Sequence, residues 1–114
     1  MKMSKIILFG YMFLILIMSL IPGESLVDIK ILYWDKILHF IEYSILGILG
    51  FKAFSKIKYS VFFIIFFGTI FGCFNEVLQI MIPYRSPTLS DALANLFGVT
   101  VGTISSSFNK KYIL

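Results

Sequence analysis

Apolar residues along this chain fall into four long runs, which are separated by short polar segments. The runs predict helices over about residues 5–22, 34–52, 60–83 and 88–108. Each run approaches the ~20 residues that a helix needs to cross a hydrocarbon core, and an open sheet would leave backbone groups unpaired in lipid. The pattern therefore predicts an all-α, integral membrane four-helix bundle that spans residues 1–114 as one domain.

Composition favours the same class of protein. Hydrophobic residues make up 59% of the 114 residues and charged residues 14%, whereas soluble domains carry about 25% charged residues. The mean hydropathy is +0.94. A chain of this size cannot bury so many apolar side chains in its own core. The first run follows Lys2 and Lys5, as a secretory signal would, but "MSLIPGES" offers no convincing cleavage site, so we expect an uncleaved first helix.

Basic residues predict how the helices are oriented. The side of the membrane that holds both termini would carry seven of them: Lys2, Lys5, Lys52, Lys56, Lys58, Lys110 and Lys111. The other side would carry Lys30, Lys36 and Arg85 together with several acidic residues. The positive-inside rule then places both the N- and C-termini in the cytoplasm. This topology explains the net charge of +4, and no basic helix or aromatic platform indicates nucleic-acid binding.

Polar and small residues share one face on each of the last three predicted helices. At about 100° per residue, each set lies within an arc of roughly 100°. The Gly68–Gly72 and Gly98–Gly102 pairs have the spacing that lets helices approach closely in a membrane. We therefore expect these faces to meet inside the bundle near its extracytoplasmic end and to form an outward-facing polar pocket. The sets are Asp35, His39, Glu42, Tyr43 and Leu46; Gly68, Gly72, Glu76, Gln79 and Pro83; and Asp91, Asn95, Gly98 and Gly102.

Each of these polar residues alone has an ordinary explanation. Gln79 and Asn95 are of the type that holds membrane helices together by hydrogen bonds, and Arg85 taken alone would be an ordinary loop cation near lipid phosphates. Several ionisable groups at one depth favour a functional site instead, because charge inside a membrane is costly and usually functional.

The residues that form these faces resemble the VanZ-like membrane proteins. The resemblance rests on three motifs in order: Asp35-Lys36-x-x-His39-Phe40-x-x-Tyr43, then Glu76-x-x-Gln79-x-x-x-Pro83-x-Arg85, then Asp91-x-x-x-Asn95-x-x-Gly98. Tyr84 departs from the pattern, since many relatives have glycine there. The resemblance implies a small multi-pass protein of the bacterial cytoplasmic membrane and cell envelope. It also implies an association with resistance to the glycopeptide antibiotic teicoplanin.

The first functional hypothesis is a pocket that binds or modifies an anionic lipid-linked molecule or cell-wall precursor. Lys36 and Arg85 would hold phosphate or carboxylate. His39 and Glu76 are the candidate catalytic residues, as general acid and base. The candidate ligand-binding residues are Asp35, Lys36, Glu42, Tyr43, Gln79, Arg85, Asp91 and Asn95.

Other hypotheses stay open at this point. The second hypothesis is a non-enzymatic structural or interaction protein, whose polar residues only hold the bundle together. The third is a transporter in which Glu42, Glu76 and Asp91 relay ions. Four short helices without an inverted repeat count against transport. With one histidine and one cysteine in the chain, we predict no metal site, and no motif indicates a cofactor. The expected partners are the lipid bilayer and, as an open alternative to a monomer, a second copy of the chain in a homo-oligomer.

Overall fold

The computed structural model describes residues 2–20, 29–82 and 89–108, with side chains from residues 3–20, 36–82 and 89–108. The described residues form four helices and no strand: α1 (Lys2–Ser19), α2 (Ile29–Phe54), α3 (Ser60–Gln79) and α4 (Leu89–Phe108). The predicted all-α architecture of four helices is therefore confirmed. Two segments, Lys36–Phe54 and Ser60–Gln79, are long and apolar enough to cross a membrane, and Met3–Ser19 is a shorter apolar helix.

Helix bounds differ from the hydropathy prediction at the start of α2 and at the end of α3. α2 begins at Ile29 and includes position 35 and Lys36, which the prediction placed at the helix start. Hydropathy locates the apolar part of a helix, but backbone hydrogen bonding continues through the polar end. α3 ends at Gln79 instead of 83, and the bonds from Ile80 N to Val77 O (3.2 Å) and Ile82 N to Gln79 O (3.1 Å) tighten the chain into a turn.

α2 and α4 pack as a parallel pair whose backbones approach very closely. A Cβ atom added at Gly98 would collide with the Phe40 carbonyl oxygen, and one added at Gly102 would collide with the Ser44 carbonyl oxygen. Both contacts advance by four residues along both helices, so the two helices run in the same direction and in a fixed register. The predicted role of the Gly98–Gly102 pair in close helix approach is confirmed.

α3 lies against this pair through its own small residues. A Cβ atom at Gly68 would meet Val99 Cγ2 at 2.7 Å. α1 also packs against α2, where Tyr11 donates a 2.8 Å hydrogen bond to the Glu42 carbonyl oxygen. Six buried apolar residues from α1, α2 and α4 make up the core: Leu8, Ile15, Tyr43, Leu46, Ala53 and Val99.

Large apolar side chains cover the outside of the helices. Phe62, Phe66, Phe67 and Phe74 of α3 are all exposed, although soluble proteins seldom expose a continuous apolar surface of this kind. This exterior and the two segments that are long and apolar enough to cross a membrane are typical of a protein in contact with lipid.

Candidate functional site

Polar residues are buried at one end of the bundle. This end holds the first half of α2, the last turns of α3 and the first turns of α4. Exposed fractions are 8% for Glu76, 5% for Gln79, 5% for Asp91 and 2% for Asn95. The polar faces predicted for α3 and α4 do point into the bundle. We call the buried set the polar cluster, and it comprises Tyr43, Asn75, Glu76, Gln79, Asp91 and Asn95.

Gly72 lies where the three helices of the polar cluster meet. A Cβ atom added there would lie 3.2 Å from Asn95 Cβ, 3.2 Å from Asn95 Nδ2 and 3.2 Å from Tyr43 Cε2. The missing side chain of Gly72 therefore leaves room for Tyr43 of α2 and Asn95 of α4 to lie side by side against α3.

A chain of hydrogen bonds links α1, α3 and α2 through this region. Ser19 Oγ lies 3.4 Å from Asn75 Oδ1, and Asn75 Nδ2 donates a 3.0 Å hydrogen bond to Tyr43 Oη. Ser19 Oγ also donates to the Leu16 carbonyl oxygen at 2.8 Å. Ser19, Asn75 and Tyr43 are buried, so these bonds replace water that their side chains would otherwise bind.

An ion pair connects α2 to the first turn of α4. Lys36 Nζ lies 3.4 Å from Asp91 Oδ1, and the two side chains are 34% and 8% exposed. The carboxylate is thus enclosed while the ammonium group reaches the edge of the polar cluster. Two residues predicted to bind ligand are brought together here.

Asn95 carries a buried amide on the inner face of α4. Neither its Nδ2 nor its Oδ1 has a hydrogen-bond partner within the part of the chain that the structure describes. A buried amide in this state is costly, and a native structure normally satisfies such a group with water, an ion or a ligand. A polar group of a ligand bound beside Asn95 would therefore form hydrogen bonds with this amide.

The remaining predicted residues lie around the polar cluster. His39 and Glu42 are half-buried on α2, and the Nδ1 atom of His39 and both carboxylate oxygens of Glu76 are shielded from solvent. Position 35 lies within α2, but its side chain is outside the described part, and Arg85 lies outside the described residues.

Sequence reasoning missed three hydrogen-bonding residues: Tyr11, Ser19 and Asn75. Asn75 lies three residues after Gly72 and four before Gln79, so it belongs to the same helical face as both. That spacing was visible in the sequence. Tyr11 and Ser19 lie on α1, whose apolar run gave no polar stripe to follow.

A cavity lies apart from the polar cluster, near the opposite end of the bundle. It has a volume of about 430 Å³ and is lined mainly by apolar residues, among them Met12, Gly50 and Phe67. Among the described residues, no group of three or more His, Cys, Asp and Glu side chains is arranged to hold a metal ion.

The sequence matches the model of a known protein family. The family model described as VanZ/LLP1 matches residues 3–109, which is nearly the whole chain. Neither the curated proteins nor the solved structures contain a match to this sequence.

Proposed function

Because the chain belongs to the VanZ-like family, we propose that it is a multi-pass protein of the bacterial cytoplasmic membrane whose polar cluster binds an anionic envelope molecule. The observation that carries this proposal is the Asn95 amide, which is 2% exposed and has no hydrogen-bond partner among the described residues. A ligand that bonds to this amide would relieve the cost of burying it.

Charge at the edge of the polar cluster favours an anionic ligand. The Lys36 ammonium group is partly accessible and lies 3.4 Å from Asp91, so a phosphate or carboxylate can share it with the aspartate. Arg85, which follows α3 in sequence, is proposed as the second cation and would bind such an anion through two parallel hydrogen bonds.

The apolar exterior and the predicted orientation narrow the class of ligand. With both termini in the cytoplasm, the polar cluster would lie beneath the outer surface, where a lipid-linked ligand reaches it from the bilayer. Lipid-linked cell-wall precursors have an anionic group at this level. The namesake of the family is associated with resistance to teicoplanin, which acts on such precursors. We therefore propose lipid-linked cell-wall precursors as the ligand class.

A chemical step is part of the proposal in its stronger form. His39 would act as general base or acid and Glu76 as its counterpart. The test is complementation of a deletion strain by His39→Ala. Loss of function with normal membrane insertion and stability supports catalysis or direct ligand contact, whereas full complementation removes His39 from the mechanism.

Native mass spectrometry of the purified protein tests binding directly. We expect a co-purifying lipid-linked or cell-wall-related molecule on the wild type, and its loss from Asn95→Leu and Arg85→Gln. Thr69→Val is the matched control, because the Thr69 hydroxyl bonds within α3 to the Ile65 carbonyl oxygen. Absence of any bound molecule from wild-type protein, or equal retention by all variants, contradicts the proposal.

A structural role for the same residues is the second candidate. It is favoured by the Lys36–Asp91 ion pair and the Asn75–Tyr43 hydrogen bond, which both join different helices. If the polar cluster only holds the bundle together, loss of function in each variant should follow its loss of thermal stability. Variants that stay stable and lose function exclude this alternative.

A further inference from the structure

The apolar cavity of about 430 Å³ lies between α1, the last two turns of α2 and the first half of α3, and Val99 of α4 completes its lining. Along α2 its lining extends from Leu46 to Phe54, which corresponds to about 12 Å of helix at 1.5 Å per residue. It is therefore an elongated cleft parallel to the helix axes. The residues that define its three walls include Leu8, Met12, Gly50, Phe54, Phe63 and Phe67.

Lysines surround the end of this cleft. Lys5 lies one turn before Leu8 and Phe9 of the lining, and its Nζ is 5.1 Å from the centre of the Phe54 ring. Ile57, another lining residue, stands between the exposed Lys56 and Lys58. No acidic residue of the described chain lines the cleft, so its mouth is positively charged.

We propose that this cleft holds an acyl chain of an anionic phospholipid, whose phosphate lies beside Lys5, Lys56 and Lys58. An elongated apolar cleft matches a hydrocarbon chain, and lysines near a membrane surface attract anionic headgroups. A second copy of the protein fits less well, because a symmetric contact at this end would bring lysines against lysines. The site is separate from the polar cluster and does not rest on the function proposed above.

The experiment is native mass spectrometry of the protein released from nanodiscs of equal parts phosphatidylglycerol and phosphatidylcholine. We expect wild-type protein to retain phosphatidylglycerol. Met12→Trp and Ser60→Phe, which place aromatic rings in the cleft from α1 and α3, should lose it. Phe13→Trp is the matched control, because Phe13 is 62% exposed on the outer face of α1 and should keep the lipid.

A second pair of variants tests the charge. Lys5→Gln should lower phosphatidylglycerol retention relative to phosphatidylcholine about fivefold, the order expected for one lysine at a membrane surface. Lys52→Gln should not, because Lys52 is exposed on α2 two residues after Gly50, and its side chain points away from the cleft. If neither Met12→Trp nor Ser60→Phe gives a monodisperse protein, the comparison of Lys5→Gln with Lys52→Gln tests the proposal.

Three results would overturn the proposal. They are equal retention of the two lipids by wild-type protein, unchanged retention in the folded filled variants, and a dimer that Met12→Trp dissociates. The last result would assign the cleft to a second copy of the chain. Loss of the polar-cluster ligand in Asn95→Leu is measured separately, so either proposal can fail while the other stands.

Discussion

Asn75 Nδ2 donates a 3.0 Å hydrogen bond to Tyr43 Oη inside the bundle, which joins α3 to α2. Both side chains are buried, with 3% of Asn75 and 1% of Tyr43 exposed. Ser19 of α1 adds a longer contact of 3.4 Å to the same amide. Three helices are therefore tied at a single asparagine, so substitutions there should report on the whole bundle.

Tyr43→Phe should lower the free energy of unfolding by about 1 kcal/mol, because the Asn75 amide would lose a buried acceptor. Thermal unfolding in detergent measures the change, and Tyr59→Phe is the control because Tyr59 is 68% exposed. Combining Tyr43→Phe with Asn75→Leu in a double-mutant cycle should give a coupling of ~0.6 kcal/mol, the average for such bonds in membranes. Additive effects would mean that the bond contributes nothing.

Asn95→Leu should leave stability unchanged or raise it by about 1 kcal/mol, since it removes a buried amide that has no partner among the described residues. Asn75→Leu is the matched variant and should be destabilising, because Asn75 does have a hydrogen-bond partner. The melting temperatures of the purified, ligand-free variants test this contrast. A large loss of stability in Asn95→Leu would show that the amide is satisfied in the folded protein.

Asp91→Asn should destabilise the protein at low salt by about 1 kcal/mol or less, because the partner ammonium group is partly exposed. The difference from wild type should shrink as salt rises, since ions screen an accessible pair. Exchanging the two charges in the Lys36→Asp, Asp91→Lys double variant should recover part of the loss. If the double variant is no more stable than the less stable single variant, the 3.4 Å contact does not stabilise the protein.

Gly102→Ala should lower the free energy of unfolding by ~1–3 kcal/mol, the usual range for overpacking, because the added methyl collides with the Ser44 carbonyl oxygen. Gly10→Ala is the matched control. No atom lies within 4 Å of its added Cβ, and alanine is the better helix former. Thermal unfolding of the two variants should move in opposite directions, and equal effects would contradict the tight α2–α4 contact.

A labelling experiment tests the predicted orientation. In a Cys73→Ser background, Ser86→Cys should react with a membrane-impermeant maleimide in intact cells, whereas Ser55→Cys should react only after permeabilisation. The expectation follows from the lysines that flank Ser55 and from the positive-inside rule. The reverse pattern would place the polar cluster on the cytoplasmic side and move the search for its ligand there.

Much of the fold was predictable, because four apolar runs in a short chain leave few arrangements other than four helices. The Gly98–Gly102 spacing also indicated a close helix contact, and the structure has it. Spacing did not reveal the partner, however. The parallel α2–α4 pairing depends on how Phe40 and Ser44 fit against those glycines, and the sequence of one helix does not specify its neighbour.

The candidate site was predictable to the extent that it follows helical periodicity. Glu76, Gln79, Asp91 and Asn95 share buried faces as expected. The Asn75–Tyr43 bond was not foreseen, because it depends on the relative rotation of two helices. The apolar cleft could not be predicted from the sequence either, because a gap between helices depends on how they pack and is not marked by a sequence motif.

The glycine contacts between α2 and α4 fix the position of one helix along the other. With Gly98 and Gly102 seated against Phe40 and Ser44, neither helix can slide along the other. These glycine contacts thus set the alignment of Lys36 with Asp91. The register of α2 and α4 should therefore persist when the Lys36–Asp91 ion pair is removed.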